Sequence, residues 1–112
     1  MREDKSYRVI LLPEAKDDLN EIEEYYLKEA GHLVSERNMR RIHKDLSIFE
    51  MSPWVGRPYR SKRRRMFFIF DGRYVVFYLV NERRCLVEIG AILRSESDWI
   101  REAQKRFRII GN

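Results

Sequence analysis

The side chains able to do chemistry here are few, and most carry one sign of charge. Arg57 to Arg65 reads Arg-Pro-Tyr-Arg-Ser-Lys-Arg-Arg-Arg, six bases in nine residues with no acid. Such a run clamps phosphates or another polyanion, and crowding one sign costs self-repulsion that a bland solvated rim gives no reason to accept. Groups that carry protons near neutral pH are scarce. His32 falls at a helix break and His43 lies beside an apolar helix stripe, so both read as structural or surface residues. Cys85 reads as a small core residue near a turn, with no base nearby in sequence to make it a nucleophile. Glu50, at a helix end, reads as a solvated acid. No spacing of His, Cys and carboxylates describes a metal site, and neither a metal nor a cofactor is expected.

The elements that would position the basic run can be read from pattern. Tyr7–Leu12 is rich in β-formers and predicts a strand. Pro13 suits a first helical position, and Glu14, Asp17 and Asp18 suit the positive end of a helix dipole. Ala15, Leu19, Ile22, Tyr26 and Ala30 then form one apolar stripe, which Gly31 closes. A second helix from about Leu33 carries Met39, Ile42, Leu46 and Phe49 on one face until Ser52-Pro53 stops it. Trp54–Ser61 reads as irregular. A strand over Arg65–Phe70, a two-residue turn at Asp71-Gly72, an all-apolar strand over Tyr74–Val80 and a strand over Arg84–Leu93 follow. Ser95 or Ser97 would cap a last short helix from about Asp98 to Arg106. The order β-α-α-β-β-β-α predicts an α+β fold, a helical hairpin on a mostly antiparallel four-stranded sheet.

Composition agrees with one domain over residues 1–112, since apolar residues make up 44% and charged ones 37%. The net charge is +5, unevenly spread: Glu14–Glu50 holds ten acids and six bases, a balance of −4, while Arg57–Arg65 alone contributes +6. That polarity points to an anionic partner on one face. The charged stretch Met1–Ser6 and the short apolar run after it do not read as a signal peptide, and no run approaches a membrane span. One cysteine allows no intramolecular disulfide, which fits a cytoplasmic protein.

Four stretches in this order resemble the RelE/ParE superfamily of bacterial type II toxins. They are Ala15-Lys-Asp-Asp-Leu19, Ser52-Pro53 with Gly56-Arg57-Pro58, Gly72-Arg-Tyr-Val-Val-Phe-Tyr78, and Val87-Glu-Ile-Gly-Ala-Ile-Leu-Arg94. The resemblance spans about Tyr7 to Trp99. It implies a toxin held by a small antitoxin in a hetero-oligomer, with DNA gyrase as the target in ParE-like members and messenger RNA on the ribosome in RelE-like ones. A third reading is an inactive scaffold that only binds its antitoxin.

Metal-free RNA cleavage needs a proton acceptor, a donor and a phosphate clamp at one phosphate. Where many members place a histidine before an arginine, this chain has Leu93 before Arg94, and Val75 stands near where the nuclease-type arginine falls. If the chain were a nuclease, Lys62, Arg65 and Arg94 would have to substitute. The ParE-like reading, binding without bond-breaking, is therefore favoured. Its target-binding residues are Arg57, Arg60, Lys62, Arg63, Arg64, Arg65 and Arg94, the last expected beside the basic run at one rim of the sheet. Tyr74–Val80 and Leu86–Leu93 hold more apolar residues than one helical hairpin covers, so Tyr74, Val76, Tyr78, Leu86 and Ile89 are expected to meet an acidic, amphipathic segment of the antitoxin. Trp54 and Trp99 read as anchors for the loop and the last helix.

Overall fold

The computed structural model describes residues 6–107. The elements are β1 (Arg8–Leu11), α1 (Pro13–Ala30), α2 (His32–Leu46), α3 (Ile48–Met51), β2 (Arg57–Tyr59), β3 (Ser61–Ile69), β4 (Tyr74–Asn81), β5 (Leu86–Arg94) and α4 (Trp99–Phe107). The fold is α+β, with a helical hairpin and a short C-terminal helix on a mostly antiparallel sheet. That sheet has five strands, in the order β1-β5-β4-β3-β2, and β1 joins β5 in parallel. The expected four-stranded sheet omitted β2, whose Arg57-Pro-Tyr looks like loop chemistry. An edge strand tolerates it because proline there need not donate to a second neighbour.

Other boundaries moved for local reasons. β3 starts at Ser61, five residues before the apolar run that opens at Met66, because charged side chains at a sheet edge can reach water. The β3–β4 connection is not a two-residue turn. Ile69 pairs with Tyr74, leaving Phe70, Asp71, Gly72 and Arg73 between them, and the first three all have positive φ (54°, 56° and 82°). The Asp45 carboxylate accepts the Phe70 N–H at 2.9 Å, and the buried Phe70 ring stacks flat on Tyr74, which holds the residue in a conformation it otherwise avoids. The second helix breaks at Ser47, whose hydroxyl turns back to donate to the Lys44 carbonyl at 2.6 Å, so α3 is separate. Ser97 bonds backward to the Arg94 carbonyl in the same way. Asp98 is the residue whose side chain accepts the Arg101 N–H at the start of α4.

The two faces of the sheet bury separate cores. On one, the hairpin lays Ala15, Leu19, Ile22, Tyr26, Ile42 and Leu46, and α3 lays Phe49, over Tyr74, Val76, Tyr78 and Val80 of β4 and Val87, Ile89 and Ile92 of β5. On the other, Trp99, Ala103 and Phe107 of α4 cover Met66, Val75, Phe77, Ala91 and Leu93. A bulge makes both possible: Phe77 pairs with Ala91 and Tyr78 with Ile89, so Gly90 is the extra residue and β5 keeps its apolar side chains on the correct faces. A Cβ on Gly90 would sit 3.3 Å from the Phe107 ring.

The expected antitoxin-facing set is corrected by this arrangement. Tyr74, Val76, Tyr78, Leu86 and Ile89 are all buried, none more than 4% exposed. The hairpin covers more than its stripe suggested, and the face it leaves is taken by α4, whose apolar residues recur every four positions.

One ion pair fastens α4 to the rest. The Arg106 guanidinium donates to both carboxylate oxygens of Asp18 on α1, at 2.8 and 3.1 Å, and to the Gly90 carbonyl at 3.2 Å. Asp18 also accepts the Ile92 N–H at 2.8 Å. Where β1 ends, carboxylate and guanidinium thus satisfy the β5 edge in place of a strand. The two side chains are 11% and 15% exposed. Removing one partner strands a charge and frees an edge N–H, so Asp18→Ala is expected to destabilise the domain by about 3 kcal/mol. The Asp18→Leu, Arg106→Met double variant should regain much of that loss. Denaturant midpoints of the single and double variants check both expectations.

Candidate functional site

β2 and β3 form a basic arm at one end of the sheet. Its tip turns on Arg60, at φ 69°. The register jumps along it: Pro58 lies opposite Arg65 while Tyr59 already lies opposite Ser61, so Lys62, Arg63 and Arg64 have no partner on β2. A bulge of this kind twists the strand and turns its side chains outward. Lys62 and Arg63 are therefore displayed by the backbone itself.

The seven expected target-binding residues do not share one role. Arg57, Arg60, Lys62 and Arg63 are exposed, and none forms a salt bridge among the described residues. Arg65 is half-buried and structural. It donates to the Gly56 carbonyl at 2.8 Å and the Lys62 carbonyl at 2.7 Å, and its guanidinium lies 5.2 Å from the Trp54 ring centre. Arg64 lies 4.6 Å over Phe107, and burial draws its pKa down, though an arginine stays charged at any physiological pH. Trp54 and Trp99 are anchors: Trp54 packs against the hairpin-side core, and Trp99 meets Phe68 and Phe77.

Arg94 is not beside the run. It pairs with Tyr74, which pairs with Ile69, whereas Arg64 is level with Leu79 and Glu88. Lys62 stands seven residues before Ile69, roughly 23 Å along the strand. Arg94 lies at the opposite end, 5.0 Å from the Tyr25 ring centre and 3.7 Å from Glu96. The substitute nuclease set of Lys62, Arg65 and Arg94 is thus split between the two ends, and its middle member is occupied with backbone carbonyls. An antiparallel ladder fixes which strand ends meet, and it sets Arg94 at the end away from Lys62. No group of three His, Cys, Asp or Glu suited to a metal occurs among the described residues.

A tyrosine supports the arm from below. The Tyr78 hydroxyl accepts the Gly56 N–H at 2.9 Å. Gly56 has no room for a side chain, since a Cβ would lie 2.5 Å from the Met66 carbonyl oxygen and 2.8 Å from the Tyr78 hydroxyl. At the other end Tyr74 and Tyr26 share a hydroxyl hydrogen bond of 2.9 Å. Both in-strand tyrosines pack their rings in the core and have their hydroxyls bonded internally.

Residues 9–99 match the family model of the ParE toxin of type II toxin–antitoxin systems, parDE. The chain belongs to the ParE toxin family. This toxin also resembles solved structures. The chromosomal ParDE toxin–antitoxin system of P. aeruginosa matches with a TM-score of 0.69 and 16% identity, over 80% of this chain and 96% of that one. Isolated E. coli RelE matches with a TM-score of 0.53 and 17% identity, over 91% and 99%. A mutant E. coli RelE in complex with a peptide of the antitoxin RelB matches with a TM-score of 0.51 and 13% identity, over 88% and 93%. At these identities the structures share the fold. No curated protein matches.

Two outcomes follow for the arm and its tyrosine. Gly56→Ala must push a backbone carbonyl aside and break the Tyr78 hydrogen bond, and is expected to cost about 2 kcal/mol by denaturant midpoint. Burial raises the Tyr74 and Tyr78 pKa values above the usual tyrosine value; at Tyr74 the hydrogen bond it shares with Tyr26 adds to this by holding the protonated hydroxyl. A raised folded pKa means that their stabilisation is complete below the unfolded value of about 10 and is lost as pH rises through the folded values. Stability should therefore fall between about pH 10 and 12, and less steeply in Tyr78→Phe.

Proposed function

We propose that this toxin acts in the cytoplasm by binding and inhibiting DNA gyrase, and that a cognate antitoxin neutralises it in a hetero-oligomer. The observation that carries this reading is the separation of the basic arm from Arg94. A phosphate at the arm meets Arg57, Arg60, Lys62 and Arg63, which are clamps with no carboxylate in salt-bridge reach among the described residues, while the arm's own Tyr59 packs its ring on Phe77 and Phe107. Tyr78, the nearest buried hydroxyl, is spent on Gly56. His32 and His43 are exposed on α2, and Glu50 is exposed at α3. An arm that displays charge without proton chemistry suits a surface that docks on a protein–DNA complex. The family match supports the same branch.

The arm's residues sort into testable groups. Charge reversal at Arg57, Arg60, Lys62 and Arg63 together should abolish growth arrest and leave the fold intact, because all four are exposed. Reversal at Arg64 and Arg65 should instead lower stability, through lost stacking on Phe107 and Trp54 and lost carbonyl partners. If four DNA phosphates are neutralised, affinity for the gyrase–DNA complex should drop roughly a hundredfold between 50 and 200 mM salt. Supercoiling by purified gyrase, with and without the toxin, tests the target directly. Codon-phased messenger-RNA cuts on translating ribosomes, with normal supercoiling, would replace this reading with an endonuclease. Growth arrest unchanged by the fourfold reversal would show the arm to be an ordinary solvated rim.

A further inference from the structure

As a ladder, the basic arm is thinly built. β2 has only three residues, and Pro58, opposite Arg65, has no N–H to give. Lys62, Arg63 and Arg64 have no partner on β2, so the ladder does not fix their backbone. Side chains do so instead. The Ser61 hydroxyl accepts the Arg64 N–H at 3.2 Å, and one guanidinium nitrogen of Arg65 donates to the Lys62 carbonyl at 2.7 Å. The excursion that displays Lys62 and Arg63 is thus closed within β3, by the residues at its two ends.

Arg65 also ties the excursion to the body of the domain. Its Nε donates to the Gly56 carbonyl at 2.8 Å, and the Gly56 N–H is held from the other side by the Tyr78 hydroxyl at 2.9 Å. Tyr78 lies opposite Arg65 on β4, is 1% exposed, and has its ring centre 4.2 Å from that of Phe49. A chain of bonds therefore runs from the core to the displayed cations: Tyr78 hydroxyl, Gly56 backbone, Arg65 guanidinium, Lys62 carbonyl. Trp54 stands beside it, with the Arg65 guanidinium 5.2 Å and the Lys62 ammonium 6.0 Å from its ring centre. Cations on a moving loop hold an anion only for the fraction of time that they point the same way. Fixing them beforehand removes that cost.

We propose that Arg65 and Tyr78 are positioning residues for target binding: through Gly56 and the Lys62 carbonyl they hold the arm in the shape that presents Lys62 and Arg63 together to an anionic target. The proposal rests on the reading of the arm as the target-binding surface. It gives Arg65 a role that its charge alone does not supply. Lysine keeps that charge, but its ammonium is a point donor and cannot replace a planar fork that reaches two carbonyls beside an indole ring. It gives Tyr78, which is buried beneath the arm, a share of the affinity without any contact to the target.

Arg65→Lys, Arg65→Gln, Tyr78→Phe and Arg63→Gln are to be compared with the natural chain at a temperature where denaturant curves show each one folded. The readouts are supercoiling by purified gyrase and growth arrest at matched expression. Arg65→Lys should need roughly tenfold more protein for half-inhibition, nearly as much as Arg65→Gln, if the loosened arm holds the binding shape about a tenth of the time. Tyr78→Phe, which changes no charge, should need about three- to tenfold more. Backbone order parameters at Lys62 and Arg63 should fall from about 0.85 to below about 0.6 in Arg65→Lys and Tyr78→Phe, while those of α1 stay unchanged. In the natural chain the Gly56 N–H should exchange as slowly as the β4 amides, a measurement that needs no variant to fold. Half-inhibition by Arg65→Lys or Tyr78→Phe at the natural chain's concentration, rigid Lys62 and Arg63 amides in both variants, or fast exchange at Gly56 would each overturn the proposal. If Arg63→Gln inhibits and arrests growth as well as the natural chain, the arm is not the target-binding surface and the proposal falls with that reading. If Arg63→Gln is weakened several-fold while Arg65→Lys is not, the arm reading stands and the positioning role alone is removed. Growth arrest that follows the expected order of variants without any effect on gyrase would remove gyrase as the target and uphold the positioning role.

Discussion

A strand that is apolar from Tyr74 to Val80 has no face to give to water, and most of this structure follows from that. β4 sits in the middle of the sheet, with β5 and β3 on its flanks, so its backbone is paired on both sides. Its side chains then need two covers. The hairpin supplies one and α4 the other. Each large side chain buried this way contributes about 1.5–3 kcal/mol. A chain of this length has few to spare, so losing either cover would expose a substantial share of the core.

The two covers are not equally secure. The hairpin packs with more than thirty residues in two long helices and the intervening turn. α4 has only nine residues, and its hold on the sheet comes from Trp99, Ala103, Phe107 and the Asp18–Arg106 pair. That pair spans α1, the β5 edge and α4 at once. It therefore joins the two layers across the sheet's rim, where no apolar contact could reach. Arg64 on Phe107 ties the far end of α4 to the basic arm, so the cover of the second core and the display of charge are linked through one side chain.

Charge in this toxin is displayed by geometry as much as by composition. The bulge in the β2–β3 ladder exposes Lys62 and Arg63, while Arg64 and Arg65 fold back onto aromatic rings and carbonyls. Six bases in nine residues thus become four ligands for an anionic partner and two structural props. The same economy applies to hydroxyls. Tyr78 and Tyr74 could be mistaken for catalytic groups by position, but one holds Gly56 and the other holds Tyr26, and burial keeps both protonated through physiological pH.

The sequence by itself determined the family, the helical hairpin, the central strand and the place of the charge. Those rest on local signals: the stripe from Ala15 to Tyr26, proline and glycine at helix ends, an apolar run, and a run of bases. Each is readable because propensity and periodicity act over a few residues. Tertiary structure decided the rest. Nothing local in Arg57-Pro-Tyr announces a fifth strand, because an edge strand is defined by its neighbour. Asp18 and Arg106 are 88 residues apart in sequence, and each looks like an ordinary surface charge until the β5 edge brings them together. Arg94 and Lys62 both look like ends of strands, but only the antiparallel register tells that they are opposite ends. Burial of Tyr74, Val76, Tyr78 and Ile89 was likewise set by the helical hairpin laid over them, and a helix stripe does not say which surface it will cover.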